Sequence, residues 1–298
     1  MPRFTFVFFL SLFSVSFLCN GNLFSADRSP ERIVSLAPGI TEILYRLDLG
    51  DRIAGVTEFS NFPPETRNKP KVGGFANPNV ERIIALRPDL VIAIPNVGNR
   101  APVETVERLG VPILIVETRS LEELYQAIDR IGTATGRPDQ AGALVKEIQE
   151  EISLLVRAVR QKSRPRVLLT FSRDPFIIAG SSSFPGELIR LAGGQVPLFG
   201  GKTRYPRIGI EAVLEYAPEV ILEPETADMS SGVKKIDLLG SWERWSSIPA
   251  VREKQVFGIE SDLIFRPGPR TPAALRQLIQ ILHPEVPAVK ENGDRYPD

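Results

Sequence analysis

The chain has 298 residues, with 36 basic and 36 acidic side chains that balance to a formal net charge of zero. That balance gives no electrostatic reason to expect a nucleic-acid partner or an anionic membrane surface. The length suits one large domain or two medium ones, and a hydrophobic fraction of 43% is ordinary for a globular protein.

Residues 1–26 have the pattern of a secretory signal peptide. Arg3 is the only charged residue before an apolar run from Phe4 to Leu18, and a short stretch rich in small and polar residues leads to Ala26. The alternative is a membrane-spanning anchor, but the run is shorter than the ~20 residues that a span needs. Cys19 makes lipid anchoring a second alternative, and as the only cysteine it excludes an internal disulfide. We therefore expect an extracytoplasmic protein.

Strand-like and helix-like segments alternate from Arg32 onward. Helices are indicated by apolar residues spaced three and four apart, as in the segment that Gly50 ends, and by Asn77 as an N-cap before Pro78. Runs of β-branched and aliphatic residues between the helices predict four strands: RIVSLAP, RIAGVTE, DLVIAI and VPILIVE. This βαβα order predicts an α/β lobe over residues 30–136, with a mainly parallel sheet covered by helices.

A long helix is predicted over residues 137–163. Its apolar stripe has helical spacing, through Leu144, Ile148, Ile152, Leu155, Val156 and Val159. At about 1.5 Å per residue, this helix is long enough to bridge two lobes. The alternation then restarts and predicts a second α/β lobe over residues 164–285, before a flexible polar tail over residues 286–298. The predicted fold class is α/β, with two lobes that each contain a mainly parallel sheet flanked by helices, joined by one bridging helix.

Two stretches of the chain share one pattern. NVERIIALRPDLVIA begins at Asn79 and GIEAVLEYAPEVILE begins at Gly209. Each has a glutamate, then a mostly apolar run, then a proline, an acid and an aliphatic run, with Glu81 and Glu211 in the same place. The pattern is typical of corresponding units in two lobes. Any α/β protein can also contain such helix–Pro–strand units, and an acid in a first helical turn can serve as a cap.

The residue types disfavour a transition-metal site and most enzyme classes. His283 is the only histidine and lies at a predicted helix end, which favours a surface or packing role over metal ligation. The sequence contains no phosphate-binding loop, dinucleotide fingerprint or serine-nucleophile motif. We therefore expect no metal, no cofactor and no catalysis. A carboxylate-only cation site, or a secreted hydrolase that uses paired carboxylates, stays open because acidic residues are plentiful.

Aromatic side chains recur in predicted loops beside strands and helix starts. Phe59 and Phe62 lie in TEFSNFPPE, Phe75 lies in KVGGFANPN, and Tyr205 lies in GKTRYPRIG. In open α/β sheets, ligands bind where loops leave the carboxyl ends of strands, and aromatic rings there offer flat apolar contact area. These residues are therefore candidates for ligand contact. The alternative is that they pack at the edges of the lobes.

Three longer motifs resemble one known family. They are RIVSLAPGITEILYRLDLGDRIAGVTEFSNFPPE, KVGGFANPNVERIIALRPDLVIA and LGVPILIVE, and a later segment, SWERWSSIPAVREKQVFGIESD, is similar to the family's closing segment. From about Arg32 to about Pro284, the chain resembles the periplasmic binding proteins of cobalamin and ferric-siderophore ABC importers, most closely the cobalamin binders. The resemblance implies two α/β lobes joined by a long helix, with a corrinoid held between them. We expect a monomeric binding protein in the periplasm.

The resemblance also implies ligand-contact residues. Cobalamin binders line their cleft with aromatic side chains, and Phe59, Phe75 and Tyr205 fall at matching motif positions, as does Phe176 in RDPFIIAG. Ile94 takes a place where the best-known member has tryptophan. The aromatic set is therefore lighter, which keeps other corrinoids and iron chelates as alternative ligands.

Basic residues near the predicted cleft bear on the same question. Arg266 and Arg270 in SDLIFRPGPR are expected at the cleft rim, with Arg266 as a ligand contact, or else as solvated surface charges. Lys202, Arg204 and Arg207 surround Tyr205 and would suit an anionic siderophore or haem.

The family's second implied role concerns one exposed glutamate on each lobe, which pairs with arginines of the membrane permease. Glu81 and Glu211 match those positions. A negative charge near the start of a helix suits the helix dipole, and two such charges on separate lobes can orient docking. The resemblance therefore implies an ABC-transporter permease as the partner of this chain.

Overall fold

A computed structural model describes residues 29–201, 203–225 and 238–287, so the predicted signal peptide, Cys19 and Lys202 lie outside the described residues. Within those ranges the fold contains two four-stranded sheets, one in each half of the chain, with helices packed around both. Five of the six neighbouring strand pairs are parallel, which confirms the predicted α/β class with two mainly parallel sheets. In the described part of the chain, no helix combines the length and the apolar character needed to cross a membrane.

The first lobe contains a parallel sheet with the strand order β2-β1-β3-β4. Its strands are β1 (Ile33–Ser35), β2 (Ile53–Val56), β3 (Leu90–Ala93) and β4 (Ile113–Ile115). The helices that cover it are α1 (Pro38–Arg46), α2 (Val80–Ala85), α3 (Arg100–Arg108) and α4 (Leu121–Thr135). Every residue of β1 and β3 is buried, as expected for central parallel strands that are covered on both faces.

Helix α5 (Pro138–Val159) is the predicted bridging helix, and its buried stripe follows the predicted spacing. Glu147 of α5 accepts two hydrogen bonds of 2.9 Å from Arg46 in the first lobe. One turn farther on, Glu151 accepts a hydrogen bond of 2.9 Å from Arg276, in a helix of the second lobe. Mostly buried ion pairs thus fasten the same helix to both lobes.

The second lobe contains a sheet with the strand order β6-β5-β7-β8. Its strands are β5 (Val167–Arg173), β6 (Phe176–Ile178), β7 (Val220–Glu225) and β8 (Val256–Glu260). Its helices are α6 (Phe184–Leu191), α7 (Ile210–Tyr216), α8 (Pro249–Arg252), α9 (Ser261–Ile264) and α10 (Thr271–Leu282). Strand β6 forms an antiparallel hairpin with β5, and neither β6 nor α9 was predicted.

The predicted N-cap of α2 is wrong. Asn79, not Asn77, caps this helix, and its side-chain oxygen accepts a hydrogen bond of 2.8 Å from the backbone N–H of Arg82. The preceding residue, Pro78, instead forms an antiparallel bridge with Gly73, which keeps the backbone extended up to the cap. Two asparagines flank this proline, and the tertiary bridge decides which of them starts the helix.

The shared sequence pattern corresponds to the same set of hydrogen bonds in both lobes, which we call the frame. Asp89, directly after the proline, accepts a hydrogen bond of 2.9 Å from the backbone N–H of Arg32 at the start of β1. Glu219 accepts the equivalent bond of 2.9 Å from Arg166 before β5. Both arginine side chains also donate to carbonyls at the ends of α2 and α7. The acid after each proline therefore has a structural role in both lobes.

Candidate functional site

The loops at the carboxyl ends of the two sheets meet one another. Asn61, after β2, accepts a hydrogen bond of 2.7 Å from Arg266 and donates one of 2.8 Å to Asp262, and both partners follow β8. This contact joins residues 205 positions apart in the chain. Since ligands of open α/β sheets bind beyond the carboxyl ends of the strands, the interface between these loops is the candidate site.

The wall from the first lobe carries Phe59 and Phe75. Phe59 is 59% exposed, and a Cβ atom placed on Gly74 would lie 3.6 Å from its ring, so the glycine lies directly against the phenylalanine. Phe75 is half-buried against the main core, as is Ile94 at the end of β3. The first lobe therefore presents two predicted aromatic residues that rest on backbone and core rather than on mobile side chains.

The wall from the second lobe carries Tyr205 together with Phe171 and Phe265. The ring of Phe171 lies 5.7 Å from that of Tyr205 and 5.3 Å from that of Phe265, the latter edge-on. Phe171 is 53% exposed, next to the irregular register between Thr170 and Ser172 in β5. Tyr205 is 40% exposed, and burial of part of its ring raises the pKa of its phenol above the ordinary value of 10.0.

Phe171 and Phe265 were missed by sequence reasoning. Both lie where a parallel strand of the second sheet ends, Phe171 in β5 and Phe265 just after β8 and α9. The rule that ligands bind at the carboxyl ends of strands could have found both, because each strand was predicted.

Phe176 lies in a different aromatic cluster. Its ring is 5.8 Å from that of Trp242 and 6.0 Å from that of Trp245, and it packs against the buried cluster that contains Trp242. Buried Glu223 holds this cluster, because it accepts hydrogen bonds of 2.9 Å from the Trp242 indole and 2.7 Å from Arg173. The structure therefore groups Phe176 with the tryptophans rather than with Tyr205.

Arg266 and Arg270 both bridge the lobes, and their interpretation as solvated surface charges is wrong. Their side chains are only 17% and 16% exposed. Arg266 is bonded to Asn61 and Asp262, whereas Arg270 donates hydrogen bonds of 2.9 and 2.6 Å to the carboxylate of Glu42 in α1. The Arg270 guanidinium also stacks 4.1 Å above the ring of Phe62. Burial lowers the pKa of Arg266 from its ordinary value.

Glu81 and Glu211 occupy equivalent exposed positions. Each lies at the second residue of its helix, α2 or α7, and each helix buries a single residue, Ile83 or Val213. Because each helix leads back into the next parallel strand, its amino end lies towards the carboxyl edge of its sheet. The two carboxylates are therefore displayed on the same side as the aromatic walls, one on each lobe.

His283 has a packing role and not a surface one. Its ring is buried at the end of α10, with Nε2 3.0 Å from the carbonyl oxygen of Ala192. Among residues 29–201, 203–225 and 238–287, no group of three or more His, Cys, Asp and Glu side chains has the arrangement of a metal site.

The sequence profile of the periplasmic binding protein family matches residues 33–263. This chain belongs to that family, which defines its class as a periplasmic binding protein.

Individual relatives include several with named ligands. The vitamin B12-binding protein of Vibrio parahaemolyticus serotype O3:K6 is 31% identical over 260 residues, which are 87% of this chain and 92% of that protein. The crystal structure of periplasmic vitamin B12 binding protein BtuF of Vibrio cholerae has a TM-score of 0.73 and 28% identity, covering 85% of this chain and 97% of that one. The structure of the periplasmic heme-binding protein RhuT from Roseiflexus sp. RS-1 has a TM-score of 0.76 and 27% identity, and the match covers 86% of this chain and 99% of that one.

Proposed function

We propose that this chain captures a corrinoid between its two lobes and delivers it to the permease of an ABC importer. The observation that carries the proposal is the pair of aromatic walls at the carboxyl edges of the sheets, with Phe59 and Phe75 on one lobe and Phe171, Tyr205 and Phe265 on the other. Similarity to two vitamin B12-binding proteins over most of the chain supports a corrinoid as the ligand.

Capture is proposed to depend on shape and aromatic contact rather than on catalysis. Exposed rings on both walls offer apolar area on either side of a bulky, partly planar ligand. The corrinoid is transported cargo in this proposal, so the protein needs no resident cofactor or metal. Arg266 lies at the same edge and can donate to the ligand only with the N–H groups that Asn61 and Asp262 leave free.

Delivery is proposed to use Glu81 and Glu211 as contacts for arginines of the permease. Two exposed carboxylates on separate lobes would orient docking and speed association more than they would add affinity. Ion pairs from α5 to Arg46 and Arg276 resist a large hinge motion, so we expect docking to separate the lobes by only a small movement. The chain is proposed to act as a monomer.

Haem is the second candidate ligand, and the similarity to a heme-binding protein favours it. A haem iron needs an axial ligand, and tyrosine is one of the residues that can supply it. Tyr205 is the candidate in this site, because His283 is buried and bonded to Ala192. Burial raises the pKa of the Tyr205 phenol, so deprotonation to a phenolate ligand costs more here than at an ordinary exposed tyrosine.

Titration calorimetry of the mature chain with cyanocobalamin and with haemin tests the ligand. We expect one cyanocobalamin site per chain, about tenfold weaker binding for Tyr205→Ala and Phe75→Ala, and near-normal affinity for Tyr205→Phe, which keeps the ring. Binding of haemin alone, with a loss of the haem absorption band on Tyr205→Phe, would contradict the corrinoid and establish haem. Binding of only a ferric siderophore would contradict both.

Uptake in cells tests the permease contact separately. The double variant Glu81→Ala/Glu211→Ala is expected to bind the ligand with unchanged affinity and to lose transport through the permease. Glu104→Ala, an exposed acid of α3 away from both helix starts, is the matched control. Normal uptake by the double variant would show that the two glutamates make no contact that the permease needs.

Export through the predicted signal peptide over residues 1–26 is part of the proposal. A relative from Bacillus subtilis that is named an ABC transporter substrate-binding lipoprotein supports the alternative of a lipid anchor at Cys19. Metabolic labelling with a fatty-acid analogue, compared between wild type and Cys19→Ala, distinguishes a free periplasmic protein from an anchored one.

A further inference from the structure

The loop that follows β3, from Ile94 to Asn99, is held by five side-chain hydrogen bonds. The Asn96 side-chain oxygen accepts bonds of 2.8 Å from Gly98 N–H and 3.0 Å from Asn99 N–H. Asn99, which is buried, accepts a bond of 3.1 Å from Asn96 N–H and donates one of 2.8 Å to the carbonyl of Ile94. The two asparagines therefore fix the loop in a single conformation.

The same loop is fastened to the segment that carries Phe75. Asn96 donates from its side-chain amide to the carbonyl of Phe75, at 3.3 Å. A Cβ atom placed on Gly98 would lie 2.6 Å from the carbonyl oxygen of Ala76, so only glycine permits this close approach of the two backbones. The position of Phe75 is thus coupled to the loop through both a hydrogen bond and direct backbone packing.

The tip of this rigid loop is Val97, whose side chain is 99% exposed. A fixed conformation with a fully exposed apolar tip, beside Phe75 and Ile94, is suited to contact a ligand without an ordering cost. A single exposed apolar residue is common on protein surfaces and needs no explanation by itself. Val97 differs because the side chains of Asn96 and Asn99 hydrogen-bond the loop on which it lies.

We propose that residues 94–99 form a preorganised binding loop, in which Val97 contacts the bound ligand and Asn96 and Asn99 act as positioning residues for Val97, Ile94 and Phe75. The apolar wall of the first lobe then runs from Phe59 through Phe75 to Val97. This inference rests on the proposed function, because it assumes that the ligand lies between the aromatic walls.

Calorimetry with cyanocobalamin tests the contact at Val97. Val97→Asp is expected to raise the Kd about tenfold without a change in Tm, since the side chain is already in solvent. Leu109→Asp is the matched control, because Leu109 is 60% exposed and lies at the far end of α3 from this loop. An unchanged Kd together with impaired uptake would assign Val97 to the permease interface and overturn the proposal.

A double-mutant cycle tests the positioning role. Asn96→Ala is expected to raise the Kd by roughly two- to tenfold in the wild-type background and by clearly less in the Phe75→Ala background, because the part of its action that passes through Phe75 is then lost and only the part through Val97 and Ile94 remains. Thr135→Ala removes a comparable bond, to the carbonyl of Ile131 at the distant end of α4, and controls for stability alone. An Asn96→Ala effect on the Kd that is equally large with and without Phe75, or a Kd that stays unchanged as in Thr135→Ala, would refute the role.

Failure of this inference is distinguishable from failure of the proposed function. If wild-type protein binds haemin and not cyanocobalamin, the corrinoid proposal fails, and the same variants are titrated with haemin. If wild type binds either ligand and the loop variants bind it equally well, only the binding loop is refuted.

Discussion

The two lobes share a frame but build their ligand-facing walls differently. In both, an arginine before the first central strand pairs with the acid after the repeated proline, Arg32 with Asp89 and Arg166 with Glu219. In the first lobe, however, Phe59 lies against Gly74 and Phe75 packs on the main core. In the second lobe the exposed rings pack chiefly on one another. The frame is therefore duplicated, whereas each wall is specific to its lobe.

This difference has an energetic consequence. Rings supported by different neighbours, such as Phe59 on Gly74 and Phe75 on the core, can be removed one at a time, and each loss is expected to be independent of the other. Rings that support one another, such as Phe171 with Tyr205 and Phe265, lose orientation when any member is removed. The second lobe should therefore respond to substitution more cooperatively than the first, and the four predictions below test or sharpen that contrast.

The largest loss of folding stability is expected from a substitution where the two lobes meet. Arg270→Ala removes two hydrogen bonds from the buried carboxylate of Glu42 and should lower the free energy of unfolding by about 3–5 kcal/mol. Arg100→Ala breaks an exposed pair with Glu104 in the first lobe and should cost less than about 1 kcal/mol. Urea denaturation measures both. Equal costs would show that the interlobe pair is no stronger than a surface pair.

The two walls should differ in whether the losses of binding free energy from two ring substitutions add. Phe171→Ala and Tyr205→Ala are each expected to weaken ligand binding about tenfold, and their combination should cost less than the sum of the two free energies, because the rings share one contact. Phe59→Ala and Phe75→Ala should combine additively. Calorimetric titration of both double-mutant cycles measures this, and additive behaviour in the second lobe would remove the proposed distinction between the walls.

The starts of the two glutamate helices should differ in stability. Asn79 caps α2 independently of Glu81, whereas α7 has no side-chain cap. At the start of α7, the Glu211 carboxylate lies over Gly209, and its oxygen would be 2.6 Å from a Cβ atom placed on that glycine. Glu211→Ala is therefore expected to lower the free energy of unfolding by about 0.5–1 kcal/mol, and Glu81→Ala by less than ~0.5 kcal/mol. Thermal denaturation of the two variants measures the difference, and equal losses would contradict it.

The smallest expected effect is a dependence of folding stability on pH through Glu42. Burial raises the pKa of Glu42 above its ordinary value of 4.5, although the hydrogen bonds from Arg270 oppose this. The folded chain then binds this proton more tightly than the unfolded chain, so the contribution of Glu42 to stability is greatest below the unfolded pKa and declines as pH rises through the folded pKa.

The advantage of wild type over Glu42→Gln in urea denaturation is therefore expected to shrink as the pH is raised from about 4. Glu104→Gln, on the exposed face of α3, controls for the change in net charge. An advantage that grows with pH would show that pairing with Arg270 outweighs burial.

Periodic features were predictable because they are local. The apolar stripe of α5 and the aliphatic runs of β3, β5 and β7 follow directly from helix and strand geometry. Segments without a period, such as β6 and α9, were missed because their conformation depends on the strands they join. Three of the five candidate rings, Phe59, Phe75 and Tyr205, lie on the two walls, whereas Phe62 stacks with Arg270 and Phe176 packs with the tryptophans.

The sequence alone determined the α/β alternation, the bridging helix and the duplicated glutamates, because these depend on residue spacing within about 25 positions. Tertiary structure decided which aromatic rings share a wall and which asparagine caps α2. It also decided that Arg266 and Arg270 are buried bridges rather than surface charges. Arg270 and Glu42 lie 228 positions apart, and only packing of the lobes brings their charges within hydrogen-bonding distance. Burial and pairing of that kind arise from the whole fold, and no local pattern encodes them.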